Sequence, residues 1–129
     1  MRWVVDNSTR RKDMADQETI FHKIAAGDAP ADVVYKDEHV IAFKDTNQQA
    51  PVHILLIPRE EMESLNDAAK TDVQILGRLL YTAAKVANQL GIAESGYRVV
   101  INTGSAAGQS VEYLHLHLLG GRDLTWPPG

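Results

Sequence analysis

The chain has 129 residues, 44% of them hydrophobic, no cysteine and a net charge of −4. That length suits one domain with a real core, and the missing cysteines exclude disulfides and thiolate metal sites. The acidic balance gives no general attraction to a nucleic-acid polymer, and no apolar run approaches the roughly 18 residues that span a bilayer.

Residues 1–16 carry no sustained periodicity, and Trp3-Val4-Val5 is too short for a signal-peptide core. They read as a flexible N-terminal extension before an ordered domain over 17–129, and the absence of targeting signals predicts a cytoplasmic protein. Asp16 can cap a short helix whose core face is Ile20, Phe21, Ile24 and Ala25, with Gly27 placed to end it. Residues 33–35 and 40–43 read as strands around a turn at 36–38. A third strand over 52–57 is almost wholly apolar, which predicts burial on both faces, and Pro58 stops it. The acidic stretch 59–66 reads as a turn. From 68 to 90, Val73, Leu76, Leu80, Ala83, Ala84, Ala87 and Leu90 recur at helical spacing, and Gly91 sits where a C-terminal cap belongs.

Residues 97–101 give a fourth strand. Residues 112–119 alternate strictly and give the fifth. On it Leu114, Leu116 and Leu118 share one face, and Tyr113, His115 and His117 share the other. The leucines need a core, so the histidine face is left to line a pocket, entered through the small-residue loop from Gly104 to Gly108. The tail carries Trp126-Pro127-Pro128, which excludes helix and central strand. The sum is an α+β domain, a five-stranded, mainly antiparallel sheet with two helices.

Five histidines invite chemistry. His22 on a helix face and His39 beside a turn read as solvated groups. His115 and His117 lie about 7 Å apart on one strand face, and His53 joins them only if the fold brings its strand near. Three readings compete for this trio: polar groups on a half-exposed sheet, a zinc site of imidazoles, and catalysis by a neutral imidazole nucleophile with an imidazole neighbour. The spacing alone does not choose between the last two.

More residues settle the preference. Ile20-Phe21, Ala42-Phe43-Lys44-Asp45, Gln49-Ala50-Pro51-Val52-His53, Ile57-Pro58, Gly96-Tyr97-Arg98, Asn102, Gly108-Gln109-Ser110, His115-Leu116-His117, Leu119-Gly120-Gly121-Arg122 and Trp126-Pro127-Pro128-Gly129 together resemble the histidine triad nucleotide-binding proteins, the Hint branch of the HIT superfamily. The resemblance implies a homodimer whose two sheets join into one of ten strands. It also implies hydrolysis of purine nucleoside phosphoramidates to AMP or GMP without a metal or other cofactor. It makes His115 the nucleophile, His117 a phosphate contact, His53 an additional histidine beside the site, and Ser110 part of the catalytic set. Asp45, with Thr46 beside it, should bind the ribose. Ile20, Phe21, Ile24, Phe43 and Leu55 should form the purine slot, and Asn102, Gly108, Gln109 and Ser110 should surround the phosphate and leaving group. Trp126 would reach toward the partner's site and help select the leaving group.

The family motif His-x-His-x-His departs here at its first member, which is Tyr113, and Glu112 stands where an apolar residue is usual. A phenol is a poor base near pH 7. The change is tolerated if the nucleophile's second ring nitrogen leans on a backbone carbonyl, and costly if it leans on that side chain. A slower hydrolase and a nucleotide-binding protein with little catalysis are the two outcomes.

Overall fold

The computed structural model describes residues 18–129. The 1–16 extension and the Asp16 cap lie outside the described residues. Helix α1 (Ile20–Ala26) is capped by Thr19: its Oγ1 accepts from the His22 N–H at 3.3 Å, and His22 Nδ1 accepts from the Thr19 N–H at 2.9 Å. An imidazole thus does what a glutamate usually does in such a reciprocal cap. Gly27, at φ 81°, ends the helix in the left-handed region that favours glycine.

The strands are β1 (Val33–Lys36), β2 (Val40–Lys44), β3 (Val52–Pro58), β4 (Tyr97–Val100) and β5 (Leu116–Gly120), arranged β1-β2-β3-β5-β4 with every neighbouring pair antiparallel. The expected α+β architecture is present. β3 sits centrally and is buried from His53 onward, in line with its apolar sequence. Its register sets Phe43, Leu55 and His117 in one row across three strands.

Helix α2 (Val73–Gln89) covers one face, over Val40, Ala42, Ile54, Leu56, Leu114, Leu116 and Leu118. It is shorter than the 68–90 expected, because two 3₁₀ turns, Leu65–Asp67 and Lys70–Asp72, precede it. Its inward stripe is Leu79, Thr82, Ala83, Val86 and Ala87. Ala83 and Ala87 belong to the expected face, but Leu80 and Val73 are 52% and 64% exposed. Leu79 and Val86 fill the interface with the sheet, so the helix is turned slightly from the expected face and Val73 and Leu80 face outward. Among the described residues, no helix is long and apolar enough to cross a membrane.

The other face carries a second apolar cluster, Phe21, Ile24, Ile41, Phe43, Leu55, Ile57 and Tyr113, under α1. Here the histidine strand departs from expectation. Residues 111–113 form a bend, β5 begins only at Leu116, and the Leu114 N–H is taken by the Met62 carbonyl instead of a strand partner. Glu112 is exposed on that bend and carries no burial cost.

Candidate functional site

A cavity of about 810 Å³ opens on the α1 face of the sheet. Its apolar end is walled by Ile20, Phe21, Ile24, Phe43 and Leu55, with the Phe21 and Phe43 rings edge to face at 5.7 Å. Its polar end brings together Asp45, Thr46, His53, Ser110, His115 and His117. The β2–β3 loop supplies Asp45 and Thr46, β3 supplies His53, Ser110 and His115 flank the 111–113 bend, and His117 comes from β5. Expected residues from all three regions therefore meet in one place.

Others do not line it. Asn102 and Gly108 lie outside the wall. The Gln109 side chain ties its loop together: it accepts from the Gly104 N–H at 3.0 Å and donates to the Glu63 and Val111 carbonyls at 2.8 and 3.1 Å. Trp126 is 82% exposed. Tyr113, expected on the pocket-lining face, is buried instead, because the bend turns its ring under α1 and its hydroxyl donates to the Pro58 carbonyl at 2.6 Å. His22 is likewise no solvated group. Besides the cap, its Nε2 lies 3.0 Å from Glu61 Oε2, without hydrogen-bond alignment, and its ring meets Tyr113 edge-on at 4.7 Å. The wall also includes Lys44, Asn47, Gln48, Gln49 and Val111, which sequence reasoning did not place there. Lys44 and Gln49 stood in segments that carry the family resemblance, and for Asn47, Gln48 and Val111 neighbourhood to Asp45 and Ser110 was the available signal.

Backbone groups decide where the ring protons sit, since a carbonyl only accepts and an amide only donates. His115 Nδ1 lies 2.6 Å from the Tyr113 carbonyl, so Nδ1 carries the proton and Nε2 keeps its lone pair. His53 Nδ1 accepts from the Gln49 N–H at 3.0 Å, so a neutral His53 is protonated at Nε2. That nitrogen is 2.9 Å from His117 Nδ1 and 3.3 Å from Asp45 Oδ2. Burial holds all three histidines below the ordinary imidazole pKa. For His115 the Tyr113 carbonyl and Asp45 only partly offset it, and for His53 Asp45 does. His117 is pushed down to about 4, by burial first and then by its two histidine neighbours. The rings are neutral near pH 7, the state a nitrogen nucleophile needs.

Asp45, His53 and His117 also place three potential metal-ligating atoms within 4.8 Å of one another. The donor set does not fit a metal ion. A neutral imidazole that binds through Nε2 must carry its proton on Nδ1, and His53 Nδ1 already faces the Gln49 N–H. Two N–H groups would point at each other.

The HIT domain model matches residues 26–124. A purine nucleoside phosphoramidase of Escherichia coli K12 is 50% identical over 108 residues, covering 84% of this chain and 91% of the relative. A 14 kDa zinc-binding protein of Zea mays is 53% identical over 116 residues, covering 88% and 90%. The crystal structure of a HIT family hydrolase from Legionella pneumophila superposes with a TM-score of 0.85 at 46% identity, covering 87% of this chain and all of the other. With the domain match spanning most of the sequence and the fold shared throughout, the chain belongs to the HIT domain family.

Proposed function

We propose that the chain is a nucleotide hydrolase that cleaves the phosphorus–nitrogen bond of purine nucleoside phosphoramidates. The observation that carries the reading is the lone pair on His115 Nε2, fixed by the 2.6 Å bond from Nδ1 to the Tyr113 carbonyl, on a ring that lines the cavity. That lone pair attacks the α-phosphorus, and the P–N electron pair leaves with the amine nitrogen, which takes a proton from water. The intermediate is a nucleotidyl-histidine whose Nδ1–H stays on the carbonyl. Water then attacks phosphorus and gives its proton to the hydroxide left by the first step, the P–Nε2 pair returns to the ring, and a purine nucleoside monophosphate leaves.

The apolar end suits a purine laid against the wall that Phe21 and Phe43 form with Ile20, Ile24 and Leu55, and Asp45 suits the ribose hydroxyls. Ser110 and His117 are the phosphate contacts. Gly108 and Gln109 act at one remove, by holding the loop that presents Ser110, Asn102 is assigned to the leaving-group side by the resemblance alone, and no metal takes part. We place the working enzyme in the cytoplasm as a homodimer. β4 is an edge strand of the sheet, and α2, packed on the sheet over β2, β3 and β5, exposes Val73, Leu80 and Tyr81. Pairing two such edges gives the ten-stranded sheet and covers those side chains.

The test is turnover of a fluorogenic adenosine phosphoramidate by wild type and His115→Ala. Loss of at least about 10³-fold in the variant is expected for removal of a nucleophile. Equal background rates with retained AMP binding would instead favour a nucleotide-binding protein without catalysis. Unchanged turnover after chelation is expected as well.

A further inference from the structure

The polar end of the cavity is connected to the turn after β5. Arg122 donates from Nε and Nη2 to the Gln49 carbonyl at 3.2 and 3.1 Å. The Gln49 N–H donates to His53 Nδ1, and His53 Nε2 meets His117 Nδ1. Each link has a fixed direction. The amide can only donate, so His53 keeps its proton on Nε2. That proton goes to His117 Nδ1, with Asp45 Oδ2 as the longer second acceptor. His117 must then hold its own proton on Nε2, the nitrogen that His53 does not engage. Burial keeps both rings neutral, as this order of protons requires.

We infer that the series Arg122, Gln49 and His53 is a device that fixes the tautomer and ring plane of His117, so that His117 offers one N–H to a phosphoryl oxygen. The inference rests on the phosphoryl-transfer reading of this site for what that N–H meets. It makes His53 and Arg122 positioning residues. Neither acts as an acid, a base or a metal ligand. It also accounts for the pair's reluctance to take up a third proton. Of the four ring nitrogens, one faces an amide hydrogen, two share a single proton, and the last is already protonated. A further proton has to break either the Gln49–His53 bond or the His53–His117 bond.

The proton positions are read directly from long-range proton–nitrogen NMR of ¹⁵N-labelled protein without nucleotide. Both rings should show a protonated Nε2 and a bare Nδ1. A protonated Nδ1 on either ring overturns the inference, whatever the enzyme's activity. In Arg122→Met, an exposed change that leaves the cavity wall intact, the His117 nitrogens should shift toward the averaged values of an imidazole that mixes tautomers. Unchanged shifts would remove Arg122 from the series. His53→Met should lower kcat by about 10-fold, less than the roughly 100-fold or more of an outright lost transition-state donor because His117 itself stays, with KM within about twofold. His53→Gln, which restores an N–H donor at the same reach, should recover most of kcat. Equal losses in the two variants would reduce His53 to packing. A wild type without turnover but with these protons in place would sink the hydrolase reading and leave the tautomer series standing.

Discussion

Tyr113, which the resemblance sets at the first histidine of the motif, makes two contacts that show what its backbone and side chain do in this chain. Its carbonyl holds the His115 ring, and its hydroxyl is spent on the Pro58 carbonyl. Burial, reinforced by Glu61, pushes the phenol well above its ordinary pKa, so it stays a donor at any working pH. Tyr113→Phe should cost about 1–2 kcal/mol by chemical denaturation, the price of a buried acceptor left short of a donor, with kcat within a fewfold of wild type. Tyr113→His should change kcat little, since the nucleophile leans on the backbone. A large gain would place the missing imidazole in the chemistry. The depressed histidine pKa values set a second expectation, and its sign follows from proton counting. Unfolded chains bind protons to these imidazoles near pH 6.5, whereas His117 resists until about 4. Stability is therefore full above about 6.5 and is lost as pH falls from there toward 4. Thermal unfolding of His117→Asn should lose part of that slope. The acid limb of kcat/KM should likewise lie below the ordinary imidazole value. His53, His115 and His117 were legible as a group because the motif names them. Gln49 was not, because it works through its backbone, which no side-chain pattern records.

At the scale of elements, alternation and helical spacing placed every strand and both helices, and they failed where a contact outside the element decides. The 112–119 alternation is real, yet its first half is bent because Leu114 bonds to Met62. The apolar spacing of α2 fitted two stripes that share Ala83 and Ala87, and only packing selects the one with Leu79 and Val86 over the one with Val73 and Leu80. The thin place at the end of β5 has a measurable consequence. A Cβ on Gly120 would stand 2.6 Å from Ile92 Cδ1, and one on Gly121, at φ 86°, would meet Pro51 at 2.9 Å. Gly120→Ala should destabilise by about 1–3 kcal/mol, as overpacking does, read as a shifted denaturation midpoint with an unchanged slope. The same variant should raise KM, because β5 carries His117 against β3.

For the whole molecule, the sheet has two unlike ends. β1 and β4 are its two edge strands, the first carrying a register irregularity between Val33 and Tyr35 and the second paired regularly along its length. Under the dimer proposed above, Leu80→Lys should shift sedimentation equilibrium to the monomer while near-native circular dichroism is retained. A chain that is monomeric before the change would end the ten-stranded reading. Deleting residues 123–129 should alter kcat/KM among leaving groups if the tail serves the partner's site, and lower stability uniformly if it only covers its own sheet. The latter has some support in the Arg98 bond to the Thr125 carbonyl at 2.9 Å.

Trp126 stands almost wholly in water at the end of that tail. The sequence has one other tryptophan, Trp3, so replacing Trp3 with phenylalanine leaves a single indole. Its emission becomes an optical gauge of what lies against the tail: red-shifted and easily quenched by iodide while bare, bluer and shielded once a second copy or a leaving group settles over it.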